Sequence, residues 1–120
     1  MIHVYGIPNC DTVKKARAWL QEQGVAYTFH DFKKQGVPAS KLSVWANSVG
    51  WELLVNRKGT TWRKLDAAQQ ASFSTPAGAT ALVLINPSLI KRPVVEWDAG
   101  ALPNITVGFD GAGWAANLPK

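Results

Sequence analysis

Hydrophobic residues recur with two different periods along this chain, and the changes of period mark its elements. The opening MIHVYG has β-branched Ile2 and Val4 and aromatic Tyr5, with Gly6 and Pro8 punctuating the end, which predicts a strand. In DTVKKARAWLQEQ, Val13, Ala16 and Leu20 recur at three- and four-residue spacing, with Trp19 widening the stripe. Lys14, Lys15 and Gln21 fall elsewhere, so the segment reads as an amphipathic helix stopped by Gly24. VAYTFHDF then alternates Val25, Tyr27 and Phe29 with Ala26, Thr28 and His30, the pattern of a second strand. A right-handed crossover would lay it parallel to the first.

The middle of the chain reads as mainly helical. PASKLSVWANSV places Leu42, Trp45 and Val49 on one face, with Pro38 near its start. GWELLVNRKGTTWRKL is mixed and is broken at Gly59, whose neighbours Thr60 and Thr61 offer a turn and a cap. DAAQQASF and TPAGATALVLI are further helices, separated by a Ser-Thr-Pro turn that can cap the second. RPVVEWD and NITVGF are short strands, and DGAGWAANL is a short closing helix weakened by glycine. The order βαβ, helical middle, ββ, helix predicts one α/β domain of 120 residues, with a helical insertion over about 37–88 between core segments of about 1–32 and 90–120.

Composition narrows the function. At 47% hydrophobic and 18% charged the chain can bury a core, and its longest apolar run, ATALVLI, is too short to cross a bilayer. The start carries no charged, apolar leader pattern. The net charge of +5 is spread over pairs such as Lys33–Lys34 and Lys91–Arg92 rather than one stripe. That favours a small anionic ligand or a solvated face over nucleic acid. His3 and His30 lack partners at metal-ligand spacing, so no metal is expected. The six tryptophans are expected chiefly in the core; Trp51 and Trp62, which flank the Arg57 segment, are expected as core or support, with the lining of a ligand cleft as the alternative.

One cysteine, Cys10, sits between the first strand and the first helix. A lone cysteine forms no internal disulfide, which fits a reducing cytoplasm. Cysteine is often plain core filling. Here, however, a helix start offers exposed N–H groups and a positive dipole end, and both favour a thiolate. A free thiol with a pKa near 8.5 is roughly 3% ionised at neutral pH, and a drop of about 2 units would ionise most of it. Asn9, Asp11, Thr12 and Lys14 surround it as candidate thiolate-supporting residues. Lys14 helps if its side chain folds back. Asp11 suits the first helical turn and opposes the thiolate if it points at the sulfur.

YGIPNCDTVKKARAWL, LLVNRKGTTWRKL and LVLINPSLIKRPVV, taken together and in that order, resemble the arsenate-reductase-like (ArsC/Spx) family, most closely its YffB-type branch. The resemblance implies a thioredoxin-like fold and makes Cys10 a redox nucleophile that passes oxidation to glutathione or another thiol, with no bound cofactor. It implies that Arg57 and Arg92 face the cysteine and hold an oxyanion or carboxylate, a task suited to the guanidinium fork. Arg63 lies in the block that marks the YffB-type branch, as a ligand contact or a packing residue. Pro93 matches the family's cis-proline. The expected function is a glutathione-dependent thiol oxidoreductase acting on a small anionic or disulfide substrate. The alternative is an Spx-like regulator that docks on RNA polymerase or another protein.

Three departures bear on these implications. Arsenate reductases have a histidine before the cysteine and a serine three residues after it, where this chain has Gly6 and Val13. They also have a third arginine near the end, and VGFDGAGWAANL has none. A site short of these groups is poorly equipped to activate arsenate. Val13 also replaces the second cysteine of the Spx Cys-x-x-Cys switch.

Overall fold

The computed structural model describes residues 2–97 and 104–115. Two compact units emerge. One combines the chain up to Gln35 with the chain from Arg92 onward, and the other is Gly36–Lys91.

The first unit is built on a four-stranded sheet of order β2-β1-β3-β4. Its strands are β1 (Ile2–Gly6), β2 (Tyr27–Asp31), β3 (Val94–Trp97) and β4 (Asn104–Val107). β1 and β2 pair in parallel, with Val4 opposite Phe29. β3 runs antiparallel to β1, with Val4 opposite Val95, and β4 antiparallel to β3. Helix α1 (Asp11–Glu22) makes the parallel crossover. This is the thioredoxin-like arrangement.

Strand alternation sorts the side chains onto two faces. Ile2 and Val4 of β1 join Val95 and Trp97 of β3 against Ala16 and Leu20 of α1 and Trp114 of the closing helix, α8 (Gly111–Ala115). Trp19, Tyr27, Phe29 and Phe109 fill in around them. The other face carries His3, Tyr5, His30 and Glu96. There His3 Nδ1 lies 2.9 Å from His30 Nε2, and the Tyr5 ring stacks on His30 at 4.3 Å. The Tyr5 hydroxyl donates to Glu96 at 2.9 Å.

Several sequence boundaries shift: β3 starts at Val94 rather than Arg92, and β4 ends at Val107 rather than Phe109. The second strand is shorter than 25–32: Val25 and Ala26 stand outside it, and Phe32 opens a short helix, α2 (Phe32–Gln35). The described part of the closing helix is Gly111–Ala115, Asp110 precedes it, and 116–118 of the expected 110–118 segment lie outside the described residues.

The second unit holds α3 (Ala39–Val49), α4 (Trp51–Leu54), α5 (Thr60–Arg63), α6 (Ala67–Ser72), α7 (Pro76–Ile85) and a 3₁₀ turn, Pro87–Leu89. α3 buries Leu42, Trp45 and Ala46, and α7 buries Ala79, Leu82 and Val83. Asp66 and Gln69 form a reciprocal capping box on α6, and Thr75 caps α7 through Gly78 N–H. Gly59 starts α5 without a side-chain cap. An antiparallel clip closes the unit. Val55 bridges Ile90, Asn56 N–H donates to Leu89 O at 2.8 Å, and Lys91 N–H donates to Leu54 O at 2.8 Å.

Candidate active site around Cys10

β1 ends at Gly6, and the chain turns through Ile7-Pro8-Asn9, with Cys10 N–H donating to Ile7 O at 3.1 Å. Cys10 is the N-cap residue of α1, with extended backbone angles of φ −86° and ψ 127°, and its carbonyl accepts from Lys14 N–H at 2.9 Å. Its side chain therefore projects at the end of the helix where N–H groups have no intrahelical partner. It is neither sealed nor fully open, being of intermediate burial.

Burial is the largest single influence on this thiol and pushes its pKa up. The N–H of Val13, the Arg92 guanidinium by hydrogen bond and by charge, and the N–H of Thr12 together outweigh it, and the pKa lies below the ordinary thiol value. The sulfur closes no hydrogen-bonded cap of standard geometry. The N–H groups act on it as dipoles at the open helix end.

This accounts for each neighbour considered from the sequence. Thr12 contributes through its backbone rather than its hydroxyl. Asn9, Asp11 and Lys14 are exposed and are not among the groups that move the Cys10 pKa. Val13, notable in the sequence only for the serine or cysteine it replaces, supplies the strongest N–H contribution. No side-chain signal could have revealed that, because the backbone does the work.

Arg92 reaches the sulfur from just before the third strand, 82 residues away in sequence. The Arg92–Pro93 peptide is cis, and buried Pro93 accepts Gly108 N–H at 2.9 Å. Arg57 and Arg63 belong to the second unit. Arg57 pairs with Glu52 Oε2 at 3.2 Å, and its guanidinium lies 5.8 Å from the Trp62 ring and 5.5 Å from the Phe73 ring. Arg63 is exposed in the last turn of α5. Among the described residues, no group of three or more His, Cys, Asp or Glu is placed to hold a metal ion, and no helix is long and apolar enough to cross a membrane.

The profile of the ArsC family matches residues 5–117. The chain belongs to the ArsC family. An uncharacterized protein of Haemophilus influenzae is 41% identical over 110 residues, covering 92% of each chain. The YffB protein structure superposes with a TM-score of 0.90 at 47% identity, covering 99% of this chain and 100% of that one. The global transcriptional regulator Spx of Streptococcus pyogenes is 29% identical over 103 residues, covering 79% of this chain and 71% of its own. The solution structure of an arsenate reductase (ArsC) related protein from Brucella melitensis superposes on this ArsC-family chain with a TM-score of 0.72 at 47% identity, covering 96% of this chain and 92% of that one.

Proposed function

We propose that this chain is a glutathione-dependent thiol oxidoreductase with Cys10 as its nucleophile. The observation that carries the reading is the lowered pKa of a partly accessible thiol, produced by the Val13 and Thr12 N–H groups and Arg92. A thiolate is the attacking form, and these neighbours favour it over the thiol.

The cycle balances without a second cysteine. The Cys10 thiolate attacks a disulfide sulfur of a substrate–glutathione mixed disulfide, its S–S bond breaks, and the substrate leaves as a thiolate that takes a proton from water. Cys10 then carries glutathione. A second glutathione, as its thiolate, attacks that bond, releasing glutathione disulfide and restoring the Cys10 thiolate. Arg92 stabilises the charge on Cys10 each time it forms or departs. Arg57 and Arg63 are proposed contacts for glutathione or substrate carboxylates, and Pro93 a proposed backbone contact. A reducing cytoplasm is the compartment in which such a cycle runs.

Intact mass spectrometry after exposure to glutathione disulfide tests this. The wild type should gain one glutathione, and Cys10→Ser none. Absence of the wild-type adduct at pH 8 would overturn the reading.

The likeness to Spx favours a second reading, in which the chain docks on RNA polymerase or another protein without redox turnover. Retention of polymerase subunits by Cys10→Ser as strongly as by wild type, with no glutathione adduct on the latter, would select it.

A further inference from the structure

β2 is an edge strand. The sheet order leaves it β1 as its one strand partner, and it pairs with β1 residue for residue from Tyr27 to Asp31 without a bulge. Edge strands of monomers are commonly blunted by lysine, proline or a bulge. Tyr-Thr-Phe-His-Asp contains neither lysine nor proline, and its one acid stands at its end.

A cation is built onto this edge. Arg17 of α1 holds its guanidinium 4.1 Å from the centre of the Phe29 ring, and its Nε donates to the Tyr27 hydroxyl at 3.1 Å. The side chain is half-buried, and these two contacts fix it in place. A guanidinium carries five N–H donors, and its terminal pair suits a carboxylate. Among the described residues no carboxylate meets Arg17. The strand's own acid, Asp31, accepts Lys33 N–H at 2.8 Å and lies four residues beyond Tyr27, about 13 Å along the strand.

A second copy of the strand brings the two together. Tyr27, Phe29 and Asp31 alternate onto one face, the face on which α1 packs. An antiparallel neighbour related by a two-fold axis through the sheet sets like faces opposite one another. With the axis at Phe29, Phe29 faces its own copy, Thr28 faces the second copy's His30, and Tyr27 faces the second copy's Asp31. The carboxylate of each copy then reaches the guanidinium of the other, and all five residues of both strands pair. An axis at His30 would set Lys33 opposite Tyr27, a cation beside Arg17. An axis at Thr28 would carry Asp31 past Tyr27 to Val25.

We propose that two copies of this chain associate through β2, antiparallel about Phe29, in one continuous sheet closed by two reciprocal Arg17–Asp31 ion pairs. The proposal does not rest on the thiol chemistry. β1 runs parallel to β2, so the two-fold axis leaves the two Cys10 residues at opposite ends of the joined sheet. Five residues a side make a small interface, so the association is weak, with a Kd on the order of 10⁻⁴ M.

Sedimentation equilibrium of the full-length protein with a reductant present, from about 10 µM to about 1 mM, tests this. The mass should rise toward that of a dimer, and amide hydrogen exchange in 27–31 should slow over the same range while 104–107, on the opposite edge, stays unchanged. Arg17→Asp and Asp31→Arg should each weaken association at least tenfold. An equimolar mixture of the two should associate again, because each copy then offers the charge the other lacks. Asp31→Asn keeps the acceptor for Lys33 N–H, and it should weaken association severalfold in a protein whose circular dichroism matches wild type; it carries the test if Arg17→Asp fails to fold. A monomer mass throughout would overturn the proposal. So would Asp31→Asn associating as tightly as wild type, a mixture of folded charge variants associating no better than either alone, or dimers whose 27–31 amides exchange as fast as the monomer's.

Discussion

Gly6 and Val13 are fitted to one another across the turn that carries Cys10. A β-carbon on Gly6 would lie 2.9 Å from Val13 Cγ2, and Val13 is completely buried. Two of the three departures from the arsenate-reductase pattern are therefore one packing unit. Valine occupies the space that glycine leaves, and the Val13 N–H stays directed at the sulfur.

Gly6→Ala should accordingly destabilise the fold by about 1–3 kcal/mol through overpacking. Val13→Ala costs stability of its own by leaving a void. In the double variant the Gly6→Ala penalty should largely vanish, a coupling readable from urea denaturation of all four proteins. Additive costs would show that the two side chains do not compete for space.

The Cys10 thiol should alkylate with iodoacetamide at pH values where a free thiol is mostly protonated, and the midpoint should rise in Arg92→Gln. Part of the lowering should survive, because the Val13 and Thr12 N–H groups remain. The stability linkage has a fixed sign. A pKa depressed by folding stabilises the protein above the unfolded thiol's pKa, and that contribution is lost as pH falls through the folded value. A rate profile unchanged by Arg92→Gln would remove arginine from the account.

Tyr5 predicts the opposite behaviour at high pH. Tyr5 is 3% exposed, and burial, followed by the hydrogen bond and charge of Glu96, raises its hydroxyl pKa well above the ordinary value. The favourable contribution is complete below the unfolded tyrosine pKa near 10 and is lost as pH climbs toward the folded value. Stability should fall by about 1.4 kcal/mol per pH unit in that window. Tyr5→Phe should abolish that slope while costing about 1–3 kcal/mol at neutral pH. Denaturation midpoints from pH 8 to 11.5 decide it.

Asp66→Ala should cost about 1 kcal/mol, since it removes the side chain that accepts Gln69 N–H at 2.7 Å and half of the α6 capping box. Thermal unfolding measures this, and Asp66→Ser should recover most of the loss.

The sequence by itself determined what depends on near neighbours. The run from Ile2 to Leu20 dictated a strand, a turn and an amphipathic helix, because each is specified by residues one to four positions apart. That alone put Cys10 at a helix start. The helical middle and the α7 cap at Thr75 were legible for the same reason. The tertiary structure decided everything that joins distant segments: the contact of Arg92 with the sulfur, the His3–His30 bond, and the clip that sets Lys91 beside Asn56. Strand pairing and register place these groups, and they follow from the packing of the whole sheet or unit rather than from local spacing. The chain could announce a thiol at a helix end, but only the fold could show which backbone N–H groups and which guanidinium lower its pKa.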